Sequence, residues 1–235
     1  MEVDIYWRQL DIFDPTKKNP QITIVGVGSL GSMIAYNLAK MGFKNICVYD
    51  TDIVEEHNVS NQLYGKCDIG KKKVKALQER IQNDCGTNIT IKEELFTTNS
   101  AFIPGIVYMA VDNMDTRKEL WYNNIKHNPN VKLYIESRLG AELARMYTID
   151  PFNMSHIREY EKTLYSNKDS EESPCTYRAI FTVICVIAGL AAHKAVKYTK
   201  DLPFKNVTEI KEGGNNEAVS IMCINPILVT SSDFK

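Results

Sequence analysis

Ile22-Thr23-Ile24-Val25-Gly26-Val27-Gly28-Ser29-Leu30-Gly31-Ser32 opens as a β-branched apolar run and passes directly into the pattern G-x-G-x-x-G. Apolar residues then recur at helical spacing (Leu30, Ile34, Leu38, Met41), and a second apolar run, Asn45-Ile46-Cys47-Val48-Tyr49, ends in Asp50. Strand, glycine loop, helix, strand and terminal acid in that order read as a β-α-β unit that cradles a nucleotide. Gly26 allows the tight turn, Gly28 the close approach of backbone to phosphate, and Gly31 the packing of helix on strand. The first N–H groups of the helix and its positive dipole end then face the anion. Asp50, about 20 residues beyond the last glycine, is placed to accept hydrogen bonds from a ribose hydroxyl. A ligand-free glycine turn is the alternative, and the pattern alone does not choose between nucleotides.

Composition narrows the classes. A chain of 235 residues with 44% hydrophobic and 24% charged residues buries a full core, and one domain is expected over 1–235. Lys+Arg 28 against Asp+Glu 29 gives no general affinity for nucleic acid or an anionic membrane, so anion binding must be local. Met1-Glu2-Val3-Asp4 is acidic and unlike a secretory leader, and Ala179 to Ala192 is too short an apolar run to span a bilayer unaided. Cys47, Cys67, Cys85, Cys175, Cys185 and Cys223 are scattered without a C-x-x-C pair, which fits a reducing cytoplasm better than a disulfide framework or a zinc ribbon.

Upstream of the glycine loop, residues 1–20 form an N-terminal arm in which Ile5, Trp7 and Leu10 are expected to anchor the chain while Arg8 projects. Downstream, the polar stretch Thr51 to Gln62 follows the second strand, where an open α/β sheet binds ligands; its asparagines, Asn58 and Asn61, either reach a nucleotide or cap a turn. Asp68-Ile69-Gly70 opens a helix with Val74, Leu77 and Ile81 on one face and Lys71, Lys72 and Lys73 in its first turn, where positive charge opposes the helix dipole unless an anion is near. Asn88 to Ile91 and Gly105 to Val111 predict the third and fourth strands, the latter buried on both faces. Asp112 leaves that fourth strand either as a cap for the helix Met114 to Lys126 or as a Mg²⁺ ligand, since Mg²⁺ takes one or two carboxylates plus substrate phosphates. Val131 to Ile135 is a fifth strand, and Leu143 to Ile149 alternates like an antiparallel edge strand. Residues 150–175 hold a short helix, His156 to Leu164, and a polar run expected to be mobile, before an apolar helix from Ala179 to Tyr198 and C-terminal strands within 200–235, with a Gly213-Gly214-Asn215-Asn216 turn before Val219 to Val229.

Taken together these blocks resemble the ThiF/MoeB/HesA family of the ubiquitin-activating-enzyme-like adenylyltransferase superfamily, from about Arg8 to Lys197. Tyr6-Trp7-Arg8-Gln9 is similar to the family's R-Y-x-R-Q, Gly26 to Gly31 to its G-x-G-G-L-G with Ser29 in place of a glycine, and Asp50-Thr51-Asp52 to its D-x-D. Asn58-Val59-Ser60-Asn61-Gln62 resembles N-L-x-R-Q, Gly70 to Lys73 resembles G-x-x-K, and Ala110-Val111-Asp112-Asn113 resembles A-T-D-N. The resemblance implies a Rossmann-like α/β fold in three layers, α/β/α, its mostly parallel sheet continued by antiparallel C-terminal strands. It implies ATP and Mg²⁺ as cofactors, a homodimer in which Arg8 reaches the other subunit's phosphates, Lys73 as the phosphate lysine and Asp112 as the metal ligand. Gly26, Gly28, Ser29, Leu30, Gly31, Asp50, Asp52, Asn58, Asn61 and Gln62 then surround the nucleotide. Cys175 falls near the family's catalytic or peripheral cysteine, or is an inert residue at a helix start.

Two departures stand out. Asn61 occupies the arginine position of N-L-x-R-Q and removes a positive charge, so that either another residue such as Lys71 or Arg138 fills in or catalysis is weaker, and the family's paired C-x-x-C zinc motifs are absent. The implied activity is adenylation of the C-terminal carboxylate of a ubiquitin-like or sulfur-carrier protein ending in Gly-Gly, with thioester or sulfur transfer to follow. Rival readings are an NAD-dependent oxidoreductase, which the β-α-β unit and Asp50 suit equally well, a module that binds a ubiquitin-like protein without catalysis, and adenylation of a small molecule or a modified tRNA.

Overall fold

A computed structural model describes residues 5–100, 104–139, 143–166, 181–204, 206–211 and 220–224. Strand β1 (Gln21–Val25), helix α1 (Ser29–Lys40) and strand β2 (Ile46–Tyr49) form the expected unit, with β1 and β2 parallel and Ile24 opposite Val48. The chain continues through α2 (Lys73–Cys85), β3 (Thr90–Lys92), β4 (Gly105–Met109), α3 (Met114–Leu120), β5 (Val131–Leu139) and β6 (Leu143–Ile149). It ends, within the described residues, with α4 (Met154–Glu161), α5 (Phe181–Thr199), β7 (Val207–Lys211) and β8 (Ser220–Ile224).

These strands form one sheet in the order β3-β2-β1-β4-β5-β6-β7-β8. The first five run parallel and the last three pair antiparallel. Because successive strand side chains point to opposite faces, β4 sends Ile106 and Tyr108 to one core and Val107 and Met109 to the other. The first core lies under α1, α2 and α5, with Leu38, Leu77 and Ile187 fully buried; the second gathers Trp121, Ile125, Ile157 and Tyr160 around α3 and α4. Each fully buried Leu, Ile or Phe side chain contributes about 1.5–3 kcal/mol, so the three layers follow from the alternation itself.

Several expectations shift. β6 is an interior strand: β7 covers its outer edge, and its alternation sorts Ala144 and Met146 from Tyr147 and Ile149 between two buried faces. β7 and β8 are the C-terminal strands expected within 200–235. Ile5 and Trp7 are 76% and 57% exposed, and the arm is held instead by Phe13 stacked on Phe43 at 4.8 Å and by Gln9 Nε2 donating to the Met41 carbonyl at 2.7 Å. Helix α2 begins at Lys73, so Lys72 is its extended N-cap and Lys71 precedes it, and the helix that starts at Met114 widens into a π turn over Trp121–Ile125. Among the described residues one helix, Phe181–Thr199, is long and apolar enough to cross a membrane, and half of it is buried in the fold. The expected mobile run, the Gly213-Gly214-Asn215-Asn216 turn and Cys175 lie outside the described residues.

Candidate active site

Reversal of strand order between β1 and β4 opens a crevice at the carboxyl ends of the parallel strands, the place where open α/β sheets bind ligands. A cleft of about 720 Å³ lies there, bounded by Gly26, Gly28 and Ser29 of the glycine loop, Asp50 to Ile53 after β2, Lys72 and Lys73 at the start of α2, and Ala110 to Asp112 after β4. Its size suits a nucleotide.

Close packing makes the glycine loop. Gly26 has φ of 86°, and a Cβ there would lie 2.9 Å from the Ala110 carbonyl oxygen. A Cβ on Gly31 would fall 1.9 Å from the Gly26 oxygen, so α1 sits against the loop only because that side chain is missing. At Gly28 the nearest atom to such a Cβ is Gln62 Nε2 at 4.0 Å: the space is open and belongs to the cleft. No side chain caps α1 and no acid stands in its first turn, which leaves its positive end for a ligand anion.

The flanking residues brace this loop. Asp50 accepts the Val27 N–H and the Asp52 N–H, each at 2.8 Å, and so ties the glycine loop to the segment after β2 while lining the cleft. Tyr64, buried, donates its hydroxyl to the Val27 carbonyl at 2.7 Å. Burial, with the Asp50, Asp68 and Asp52 charges adding to it, pushes that phenol well above its ordinary range and keeps it a donor.

Lys73 is 9% exposed at its side chain and its ammonium lies 2.8 Å from the Asp52 carboxylate. Asp112 is exposed at the cleft edge, and the cap of α3 is its neighbour Asn113, whose Oδ1 accepts the Thr116 N–H at 2.9 Å. The capping alternative for Asp112 therefore fails. For Asn58 the capping alternative holds at one atom: Oδ1 accepts the Glu55 N–H at 2.9 Å, although the residue also lines the cleft, as Gln62 does.

Other candidates stand elsewhere. Gly31 and Leu30 support the cleft from behind, and Asn61 does not line it. Arg8 is exposed on the arm, with its guanidinium 5.0 Å from the Trp7 ring. Lys71 turns away to Glu79 at 2.7 Å and Asp68 at 3.5 Å. Arg138 is held by Glu136 and by Thr163, through its carbonyl at 2.7 Å and its Oγ1 at 3.1 Å. Neither Lys71 nor Arg138 replaces the charge missing at Asn61, because neither lines the cleft and each pairs with an acid away from it. Lys72, one of the three lysines noted in the sequence, lines the cleft as well, and so does the segment Glu94-Leu95-Phe96 after β3, which the sequence offers through the rule that loops beyond parallel strand ends bind ligands.

The donor set fits a nucleotide with Mg²⁺. Gln62 Oε1, at the cleft, is buried without a hydrogen-bond partner, an acceptor that a ribose hydroxyl or a metal-bound water would satisfy, while the open N–H groups at the start of α1 are the donors for phosphate. Among the described residues no three acidic, His or Cys side chains converge to hold a metal. A metal at Asp112 must then draw most of its ligands from phosphates and water, which is the habit of Mg²⁺. Asp50, Asp52, Glu55, Glu94 and Asp112 outnumber Lys72 and Lys73 along the cleft, so a polyphosphate needs cations from outside it.

A crevice of this kind, with a glycine loop, an open helix N terminus, a lysine and an acid at a β1/β4 switch point, is the candidate ligand site of an open, Rossmann-like α/β fold. The ThiF family model matches residues 14–221, and the chain belongs to that family. It is 24% identical over 208 residues to ubiquitin-like modifier-activating enzyme 5 of Oryza sativa subsp. japonica, covering 75% of this chain and 47% of that one. It is 31% identical over 107 residues to SUMO-activating enzyme subunit 2 of Dictyostelium discoideum, covering 43% of this chain and 16% of the relative. Over 67 residues, 28% of this chain and 26% of the relative, it is 37% identical to tRNA threonylcarbamoyladenosine dehydratase of Bacillus subtilis. The chain thus spans less than half the length of these relatives. Among solved structures, E. coli MccB superposes with a TM-score of 0.68 at 16% identity over 96% of this chain and 71% of that one, and MccB with ATP with 0.65 at 17% over 88% and 64%. These two likenesses show the fold.

Proposed function

We propose that this protein uses ATP to adenylate the C-terminal carboxylate of a ubiquitin-like or sulfur-carrier protein. The observation that carries the reading is the meeting of Lys73, Asp112 and the uncapped start of α1 in one cleft at the switch point. Family membership and the activating enzymes among its relatives support it. In the reaction a carboxylate oxygen bonds to the α-phosphorus of ATP, the bond from that phosphorus to the bridging oxygen breaks, and pyrophosphate leaves with the electron pair. Side-chain nucleophiles have no part in this step; the difficulty is charge, because an anion must approach a polyanion.

The chain's own groups divide that task. The N–H groups of the glycine loop and α1 hold phosphate oxygens, Asp50 orients the ribose, and Gln62 and Asn58 offer amides at the phosphates. Lys73 trades Asp52 for a phosphate oxygen. Asp112 would hold Mg²⁺, which when bound neutralises charge on the polyphosphate. Arg8, outside its own cleft, is supplied to a second copy. The slim Gly-Gly tail expected of the partner suits approach beside the nucleotide. Cys175 is proposed as a later thiol acceptor.

Carboxylate-dependent exchange of pyrophosphate into ATP tests the reading, with a peptide ending in Gly-Gly as acceptor. Wild type is expected to exchange, Asp112→Asn and Lys73→Ala to lose at least about a hundredfold, and Cys175→Ser to keep exchange while losing any thioester. Full exchange by both cleft variants would remove their roles. A protein that binds NAD(H) and ignores MgATP would overturn the adenylation reading in favour of the oxidoreductase one.

A further inference from the structure

Three consecutive lysines precede or open α2, and the structure gives each a different neighbourhood. Lys71 is paired with Glu79 and Asp68 away from the cleft. Lys73 lines the cleft with its charge already met by Asp52. Lys72 also lines the cleft, half-buried, but its ammonium donates to a neutral group, the Thr51 carbonyl, at 2.6 Å. Among the described residues no carboxylate pairs with it.

The backbone fixes this arrangement. Residues 71–73 run antiparallel to 52–54: Val54 N–H donates to the Lys71 carbonyl at 2.8 Å, Lys73 N–H to the Asp52 carbonyl at 3.0 Å, and Ile53 faces Lys72 in an isolated bridge. Lys72 keeps an extended backbone (φ −60°, ψ 132°) and the chain turns helical immediately after it. That change of conformation lets both Lys72 and Lys73 face the cleft, where two residues of a continuous strand would point opposite ways. The two ammonium groups thus grip successive residues, Thr51 and Asp52, beside the glycine loop.

The cleft is short of positive charge. Its carboxylates outnumber its lysines, and Asn61, at the arginine position of the family's motif, neither carries charge nor lines the cleft. We infer that Lys72 is a second phosphate-binding residue of this site, exchanging the Thr51 carbonyl for a polyphosphate oxygen and supplying the charge that Asn61 does not. The ligand class is a nucleoside triphosphate, and a monophosphate is too short to need it. This rests on the adenylation reading.

Equilibrium titration of ATP and of AMP in excess Mg²⁺ tests the inference on wild type, Lys72→Gln and the double variant Lys72→Gln/Asn61→Arg. Glutamine removes the charge and retains an N–H donor whose reach is one bond shorter. Lys72→Gln is expected to melt within about 2 °C of wild type, to bind ATP about tenfold more weakly and to bind AMP within about twofold, and the added arginine is expected to recover part of the ATP affinity. Unchanged ATP affinity, or equal losses for ATP and AMP with a lowered melting point, would overturn it and leave Lys72 a loop clasp. A Lys72→Gln that fails to fold would do the same. A wild-type protein that binds no ATP would instead overturn the adenylation reading, which separates the two failures.

Discussion

Arg117 donates from Nη1 to the Oε1 of Glu136 at 3.4 Å, with 8% of the arginine side chain and none of the glutamate side chain exposed. The same guanidinium donates from Nε to the Val111 carbonyl at 2.8 Å, one residue before Asp112, and from Nη2 to the Ser137 carbonyl at 3.4 Å. Glu136 also receives Arg138 Nε and the hydroxyls of Tyr134, at 3.2 Å, and Tyr160. A buried carboxylate therefore links the loop that presents Asp112 to the end of α4, where Arg138 holds Thr163.

Removing that carboxylate leaves two guanidinium groups without their counter-charge in a dry layer. Glu136→Ala is expected to destabilise the fold by about 3–5 kcal/mol, measured by urea unfolding. Glu136→Gln keeps the shape and should cost less. A loss under about 1 kcal/mol for the alanine variant would mean that water reaches the cluster and replaces the acid.

The same group shapes the acid limb of stability. Burial pulls the Glu136 carboxyl upward, but Arg117, Arg138 and their hydrogen bonds outweigh it and hold it below its ordinary value of 4.5. A folded value below the unfolded one gives stability that is complete above pH 4.5 and lost as pH falls through the folded value. Wild type should therefore lose unfolding free energy more steeply below pH 4.5 than Glu136→Gln does, and parallel pH profiles for the two would contradict the assignment.

Glycines of one motif should fail in different ways. A methyl at Gly31 meets the Gly26 carbonyl oxygen and backbone must move, so Gly31→Ala should lower the melting point and disturb the cleft together. Gly28→Ala has φ of −70° and open space, so it should melt near wild type and yet weaken ATP binding at least about tenfold by occupying the ground of a phosphate. Calorimetry on both variants checks the pair, and a Gly28→Ala protein with full ATP affinity would place the phosphates elsewhere.

What the sequence made legible follows from its period. Alternation and glycine spacing located β1, α1, β2, the buried β4 and the cleft, because each leaves a local mark. The Glu136 cluster left none: the apolar run predicts a strand that stops at Ile135, and only pairing with β6 and cover from Tyr160 show that β5 runs on to Leu139 with its charges buried. Lys72 and Lys73 look alike in sequence, and the partner that distinguishes them is a carboxylate in one case and a carbonyl in the other. The arm shows the same limit, since Trp7 suggested an anchor by hydrophobicity while Phe13 provides it by lying over Phe43.

Arg8 carries the remaining prediction. Gln9 and Phe13 fix the arm on its own subunit, yet Arg8 is exposed and absent from its own cleft, where carboxylates outnumber the two lysines. If the arm of one copy completes the cleft of another, Arg8→Ala and Lys73→Ala proteins, each inactive alone, should complement when co-expressed. A mixed dimer then has one cleft with both an intact Lys73 and an arginine from its neighbour, so random pairing of equal amounts restores about a quarter of wild-type exchange. Sedimentation of the wild type should show the dimer that this requires. Activity that stays at the level of the separate variants, in a sample shown to contain mixed dimers, would mean that Arg8 acts within its own subunit or not at all.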